Sequence, residues 1–287
     1  MNVNAAPHLN PAVRHDALLL IDVVDSNPNG DPDAGNQPRI DPETGHGLIT
    51  DVSLKRKVRD TIDIIRPTLA QPDRYGIYVT AGRALNTVHE SAYDALGKAA
   101  TPDSAQEWLR NHYFDIRMFG AVMTTGRKTA GRLTGPVQFG MARTYDPVVA
   151  TELSITRVTK TVEGKEDQSE MGSKWIIPYG LYGARIHYSA ALGLAVGIDS
   201  DDLKLLWDSL ITMWDHTRSA SRQTISTRGL HVFSHSSALG DAPAAALLEA
   251  ITVQGHNKPA RSFADYSVAL PSAASIPKQV RLTSLLP

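Results

Sequence analysis

The chain contains no cysteine, which excludes disulfides, thiolate metal sites and a thiol nucleophile. It also lacks any apolar run near the ~18 residues that span a bilayer; LLLI at 18–21 is only strand-length. The opening MNVNAAPHLNPAVRHD has neither the basic start nor the apolar stretch of a signal peptide. The expectation is a cytoplasmic protein with no membrane contact. Excess charge of one sign is missing too: 29 basic and 30 acidic residues give a net charge of −1, whereas nucleic-acid-binding domains are usually basic overall.

Catalytic signatures are equally scarce. Gly126-Arg-Lys-Thr-Ala-Gly-Arg132 has glycines and cations but leads into Arg132-Leu133 rather than the Lys-Ser/Thr of a phosphate-binding loop. There is no G-x-S-x-G elbow. His231 and His235 lie four apart in LHVFSHS, a strand-then-turn pattern in which both would not face one ion, and the glutamate of an H-E-x-x-H site is absent. No pair of carboxylates stands out as a general acid and base. These absences predict a protein that is not an enzyme and needs neither cofactor nor metal.

What is present is local. Hydrophobic residues make up 42% and charged residues 21%, a normal balance for a soluble domain, and one elaborated domain can reach 287 residues. Between Arg117 and Lys160 stand seven basic residues and two acids, so the remainder is negative. That distribution fits a polyanion lying on one face while other faces meet protein.

Ala17–Val24 reads as a buried strand, closed by Asn27-Pro-Asn-Gly-Asp-Pro-Asp-Ala-Gly-Asn36, a loop too rich in turn residues for regular structure. Its start satisfies half of a calcium-loop signature, but the twelfth position is Asn36 where a bidentate glutamate is needed; a turn-rich connection is the better reading, and its Asn side chains and Gly amides can also grip phosphate or ribose. A helix is predicted from Thr50 or Asp51 to Arg66, before Pro67. On it Leu54, Val58, Thr61, Ile62 and Ile65 share one face. Lys55, Arg59 and Arg66 fall within about 40° of one another beside that face, with Arg56 a step further round. The ridge is either a phosphate track or a solvated face.

Further on, Gly76–Ala81 is predicted as a strand, and helices cover 87–100 and a stretch from Thr101-Pro102. Thr124–Gly135 reads as a basic loop and Val137–Thr144 as an alternating strand. Leu153–Val162 and Lys174–Ile177 flank a polar tip with Glu163, Glu166, Asp167 and Glu170, the pattern of a protruding hairpin. Ile186–Gly197 is strand or helix. From Asp199 or Ser200 to about Arg218, Leu203, Leu206, Trp207, Leu210, Ile211 and Trp214 form one helical stripe. Strands are expected at 229–233 and 267–270, and the tail 271–287 as loosely ordered. The economical description is one α+β domain over 1–287 with insertions at about 82–112 and 151–178.

Asn27-Pro-Asn-Gly-Asp-Pro-Asp-Ala-Gly-Asn36, Pro38-Arg-Ile-Asp-Pro-Glu-Thr-Gly45 and Thr50-Asp-Val-Ser-Leu-Lys-Arg-Lys57, with Arg117-Met-Phe-Gly-Ala121, Gly135-Pro-Val-Gln138, Pro178-Tyr-Gly-Leu-Tyr182, Asp215-His-Thr-Arg-Ser-Ala-Ser-Arg222 and Ala260-Arg-Ser-Phe-Ala-Asp-Tyr266, carry a family likeness across about 16–270. The chain resembles the backbone subunit of Cascade, the repeating RAMP-superfamily member of type I CRISPR systems, and most closely its type I-C form. The resemblance implies an RRM-like (ferredoxin-like) palm, helical fingers and a β-hairpin thumb, the last two being the insertions. It implies a subunit that polymerises along CRISPR RNA and presents guide segments for pairing with target DNA. Other Cascade subunits would be partners: a 5′-end cap subunit, a large subunit and small subunits. It further implies backbone contacts from Lys55, Arg56 and Arg59 with Asn27 and Asn29 beside them. Arg127, Lys128 and Arg132 would line the same groove, Arg157 and Lys160 would sit on the thumb, and Met171 would wedge at a displaced base. The alternative from another class is a metal-dependent RNA-cleaving subunit of the type III kind, with Asp167 among its candidate acids; more distant is a CRISPR RNA-processing endonuclease of the same superfamily. The segment before Arg14 has no counterpart in the resemblance.

Overall fold

The apolar run at Ala17–Val24 lies inside β1 (His15–Ser26), in which every residue except Val24 and Asp25 is buried. A strand so continuously apolar is covered on both faces. The computed structural model that places it describes residues 6–126, 128–156 and 171–286. After β1 the chain forms a miniature hairpin, β2 (Gly30–Asp31) with β3 (Gln37–Pro38), then β4 (His46–Ile49). The helix α1 (Asp51–Ile65) begins where its cap requires: the Thr50 hydroxyl accepts from the Ser53 amide at 3.2 Å.

Between α1 and the next sheet strand lie α2 (Leu85–Leu96), α3 (Pro102–His112), α4 (Phe114–Phe119) and the hairpin of β5 (Gly120–Met123) and β6 (Gly131–Thr134). The α3 start is built as its sequence reads, with Thr101 and Ser104 in a reciprocal capping box and Pro102 at the first helical position. The strand expected at Gly76–Ala81 is not formed. Gly76 makes a single bridge to Tyr113, and the Tyr78 and Val79 amides donate instead to the buried Asp115 carboxylate at 2.8 and 3.0 Å. A carboxylate from α4 satisfies the donors that a neighbouring strand would have taken. The basic loop is also shorter than its composition suggests, since Gly131–Thr134 pairs back onto β5.

The alternating stretch after it breaks at Gly140 into β7 (Val137–Phe139) and β8 (Ala142–Pro147). Next comes β9 (Thr151–Thr156), exposed throughout and paired with the start of β10 (Met171–Tyr188). The far half of β10 enters the central sheet, so one strand carries both the projecting hairpin and the core. The ambiguous segment 186–197 is both things in turn: β10 ends at Tyr188 and α5 (Ala190–Val196) starts on the Ser189 cap. Then follow α6 (Ser200–His216), β11 (Thr224–Ser234), α7 (Ala244–Glu249), the hairpin of β12 (Thr252–Gly255) and β13 (Tyr266–Ala269), and β14 (Arg281–Leu286). The expectation of a loosely ordered tail is overturned here: β14 pairs with β11 from Ser234↔Arg281 to Leu230↔Leu286.

All pairings in the central sheet are antiparallel, in the order β14-β11-β1-β10-β8-β4. One face, carrying Leu19, Ile21 and Val23, packs against α1 and α6 through Leu54, Val58, Leu206 and Leu210. The other face, carrying Leu18, Leu20, Leu181 and Phe233, is covered by Leu247 and Leu248 of α7 and by Tyr266. This is an α+β architecture with an antiparallel sheet and helices on one side, as an RRM-like palm requires, and a second layer over the side that such palms can leave open.

Candidate nucleic-acid interface

An RRM reads RNA with aromatic side chains on its open sheet face. Here that face is occupied by Leu18, Leu20, Leu181 and Phe233 beneath α7, so it has no open aromatic platform. The rim of the sheet offers a place for a strand. A cavity of about 730 Å³ opens at the start of α1, lined by Asn29, Gly30 and Pro32 of the loop after β1, Arg39, the first turns of α1, Met141 and Arg222.

The loop is folded by its own polar groups. Asn27 Nδ2 donates to the Asn36 carbonyl at 2.7 Å, and the Asn36 amide donates to the Asp31 carbonyl at 2.8 Å. Gly35 and Asn36 adopt left-handed backbone at φ 60° and 63°. Gly30 suits this turn because a Cβ there would lie 2.8 Å from the Asn36 backbone carbonyl oxygen. Asn29 Oδ1 accepts from both the Thr50 amide (2.9 Å) and hydroxyl (3.0 Å), which fastens the loop to the helix start. The Asn/Gly/Asp composition therefore serves a closed turn. Among the described residues no group of three or more His, Asp or Glu could hold a metal ion.

Four cations line the cavity, Arg39, Arg56, Lys57 and Arg222, against the two carboxylates Asp51 and Asp60. The carboxylates are already engaged: Asp51 pairs with Lys55 at 3.1 Å and Asp60 with Arg56 at 2.6 Å. Arg39 pairs with Asp31 at 3.0 Å, its Nε remaining buried without a partner. Lys57 and Arg222 differ. Lys57 is only 7% exposed, lies 5.9 Å over the Trp214 ring, and has no ion-pair partner among the described residues; Arg222 Nε is likewise buried and unpartnered. Burial, and after it the nearby positive charge of Arg222, push the Lys57 ammonium down to about 8. Lys57 is buried and Arg222 half-buried, and the carboxylate nearby, Asp60, is already bonded to Arg56; two close cations so placed are costly, and an anion entering the cavity relieves both. The positive end of the α1 dipole adds to the attraction for negative charge.

The residues singled out in the sequence divide three ways. Asn29 and Arg56 line the cavity. Asn27 is buried behind it, shaping the loop. Lys55 and Arg59 do not line it: Lys55 faces Asp51 and the Phe139 ring, and Arg59 is drawn to the buried Asp115 at 2.7 Å, over the Phe119 ring. Lys128, paired with Asp94 at 3.0 Å, and Arg132 on β6 belong to the region of α2 and α3. Met171 opens β10 opposite Thr156, while Arg127, Arg157, Lys160 and Asp167 lie outside the described residues. The basic middle is not one surface either, since Arg117 is fully buried against Asp202 and Arg143 pairs with Asp41. Lys57 and Arg222 lie off the helical ridge of Lys55, Arg59 and Arg66. One signal could have found Lys57: it stands three residues after Leu54 and four before Thr61, at the edge of the apolar stripe, where a lysine is rarely buried.

Residues 13–271 match the family model described as CRISPR-associated protein Cas7. This chain belongs to the Cas7 family. A Cas7 protein of Haloferax volcanii is 31% identical over 194 residues, covering 59% of this chain and 54% of the relative, so the match spans about half of that relative's length. Solved structures titled as CRISPR RNA-guided surveillance complexes, one of them pre-nicking, include chains that superpose with TM-scores of 0.49 and 0.47. They are 15% and 14% identical over 80% of this chain, and over 79% and 71% of their own. A chain of a type III-B Cmr-beta complex bound to cognate target RNA gives 0.42 at 14% identity, over 77% of this chain and 61% of that one. In this Cas7-family chain the cavity is built from the motifs that carry the family likeness: the Asn-rich loop, the start of α1 and the turn ending in Arg222.

Proposed function

We propose that this chain is the repeating, non-catalytic backbone subunit of a CRISPR RNA-guided surveillance complex of the type I-C Cascade kind. Its substrate is the sugar-phosphate backbone of the guide, and specificity towards target DNA comes from base pairing by the guide. The observation that carries the reading is the Lys57–Arg222 pair: Lys57 is buried with no ion-pair partner among the described residues, Arg222 is half-buried with an unpartnered Nε, and both line the cavity at the start of α1. Phosphates enter there, with Arg39 and Arg56 at the rim; Lys55 and Arg59 border the path, and Lys128 and Arg132 extend it. In this reading residues 82–112 are fingers, and the β9–β10 hairpin is a thumb reaching a neighbouring copy with Arg157, Lys160 and Met171. Further copies and the cap, large and small subunits complete the assembly.

The test is RNA binding by the full chain across a salt series. Replacing Lys57 and Arg222 together by alanine is expected to weaken binding to every guide sequence alike. It should also flatten the salt dependence by about 1.4 units, at about 0.7 per lost contact on a single strand. Unchanged affinity and slope, or a loss that depends on sequence, contradicts the assignment.

A further inference from the structure

Phosphate recognition requires cations, and the floor of the cavity supplies them; its lip is of another character. Val52 is 67% and Met141 55% exposed, among the larger apolar exposures of the described residues, and both border the cavity together with Pro32. Val52 stands on the first turn of α1 and Met141 on the turn between β7 and β8, so two separate elements bring apolar groups to one mouth.

Met141 also borders a second cavity, of about 510 Å³, which contains Arg143 and Arg185. These arginines are about half exposed and are paired with Asp41 at 2.6 Å and Glu249 at 3.5 Å. The turn is held in place by the Gly140 amide, which donates to the Arg185 carbonyl at 2.8 Å. Met141 thus forms an apolar ridge between two cation-bearing hollows. A ligand complementary to this arrangement is anionic where it meets Lys57 and Arg222 and apolar where it meets the ridge. A nucleotide within a single strand has both properties. In a duplex the base faces are stacked inside and cannot reach a side chain at the mouth.

We propose that Met141, with Val52, is a base-contacting lip: the site takes a single-stranded RNA nucleotide with its phosphate inward on Lys57 and Arg222 and its base face against Met141. The strand then passes over the ridge towards Arg143 and Arg185. Met suits such a role because its thioether is polarisable and its chain adapts to any base, which gives contact without sequence preference. This inference rests on the reading that the cavity holds RNA phosphate, and the two fail differently.

The test compares the full chain with its Met141→Ala/Val52→Ala variant on oligouridylate, on an abasic ribose-phosphate strand of equal length, and on an RNA duplex, by fluorescence anisotropy over a potassium chloride series. The expected result is a loss of about three- to tenfold on oligouridylate, an unchanged salt slope, no loss on the abasic strand or the duplex, and recovery with Met141→Leu. No loss on oligouridylate, or an equal loss on the abasic strand, overturns the base contact while leaving the phosphate site standing. A Lys57→Ala/Arg222→Ala variant that binds all three ligands as the parent does would overturn the phosphate reading instead. Flotation with phosphatidylglycerol vesicles, or RNA-free dimerisation, lost in the lip variant while oligouridylate binding is intact would assign the lip to lipid or to a second copy, and would overturn the proposal as well.

Discussion

The charged groups that face Lys57 are Arg222 from the turn after α6, and Asp60 and Arg56 from its own helix, with the Trp214 ring of α6 beside it. Burial in this setting displaces the Lys57 ammonium downward. In the free protein its pKa falls from 10.5 to about 8. Burial of its charge therefore costs stability that is fully expressed below about 8 and relieved as pH rises towards 10.5, where the unfolded chain also loses the proton. Phosphate favours the charged form, so the dependence of RNA binding has the opposite sense. Affinity is expected to fall as pH rises through about 8, measured by anisotropy between about pH 7 and about pH 9. Lys57→Arg, always charged, is expected to flatten that profile; an unflattened profile in this variant would assign the dependence to another group.

At the level of elements, two buried carboxylates tie the helices to the palm. Asp115 collects Arg59 of α1 and the Tyr78 and Val79 amides. Asp202 accepts from Arg117 at 2.6 and 3.1 Å and from Arg74 at 2.7 Å, and it also completes the capping box with Asp199 at the start of α6. Removing it leaves Arg117 buried without its partner. Asp202→Ala is expected to destabilise the chain by ~3–5 kcal/mol in urea denaturation; a change below about 1 kcal/mol would show that Arg117 is relieved by water or by movement of α6. These ties explain which elements could be read from sequence. α1 and α6 carry local caps and a regular apolar stripe, and both were legible to within a residue or two. Gly76–Ala81 was not, because its amides are satisfied by a carboxylate far along the chain. β14 was not, because RLTSLL becomes a strand only through pairing with β11.

For the whole molecule, the same distinction separates the fold from the site. The central strand is legible from ALLLIDVV because continuous burial needs only local composition. The covering of its second face by α7 and β13 depends on long-range packing and could not be read. Helical spacing marks Lys55 and Arg59 on a cationic ridge, but their partners Asp51 and Asp115 are revealed only by the fold. Lys57 and Arg222 meet only after α6 has packed on α1. An amphipathic site on the rim, with a hairpin projecting from the same sheet through β10, suits a unit that repeats along a strand better than one enclosing a small substrate. The most direct measurement is an electron micrograph of the chain co-expressed with CRISPR RNA and the other subunits of its complex, beside the Lys57→Ala/Arg222→Ala variant. The account predicts curved filaments of repeated subunits with RNA threaded through them for the parent chain, and their loss in the variant. Isolated RNA-free globules from the parent, or target RNA cut at regular spacing with divalent metal and no separate nuclease, the cuts vanishing in Asp167→Ala, would contradict it.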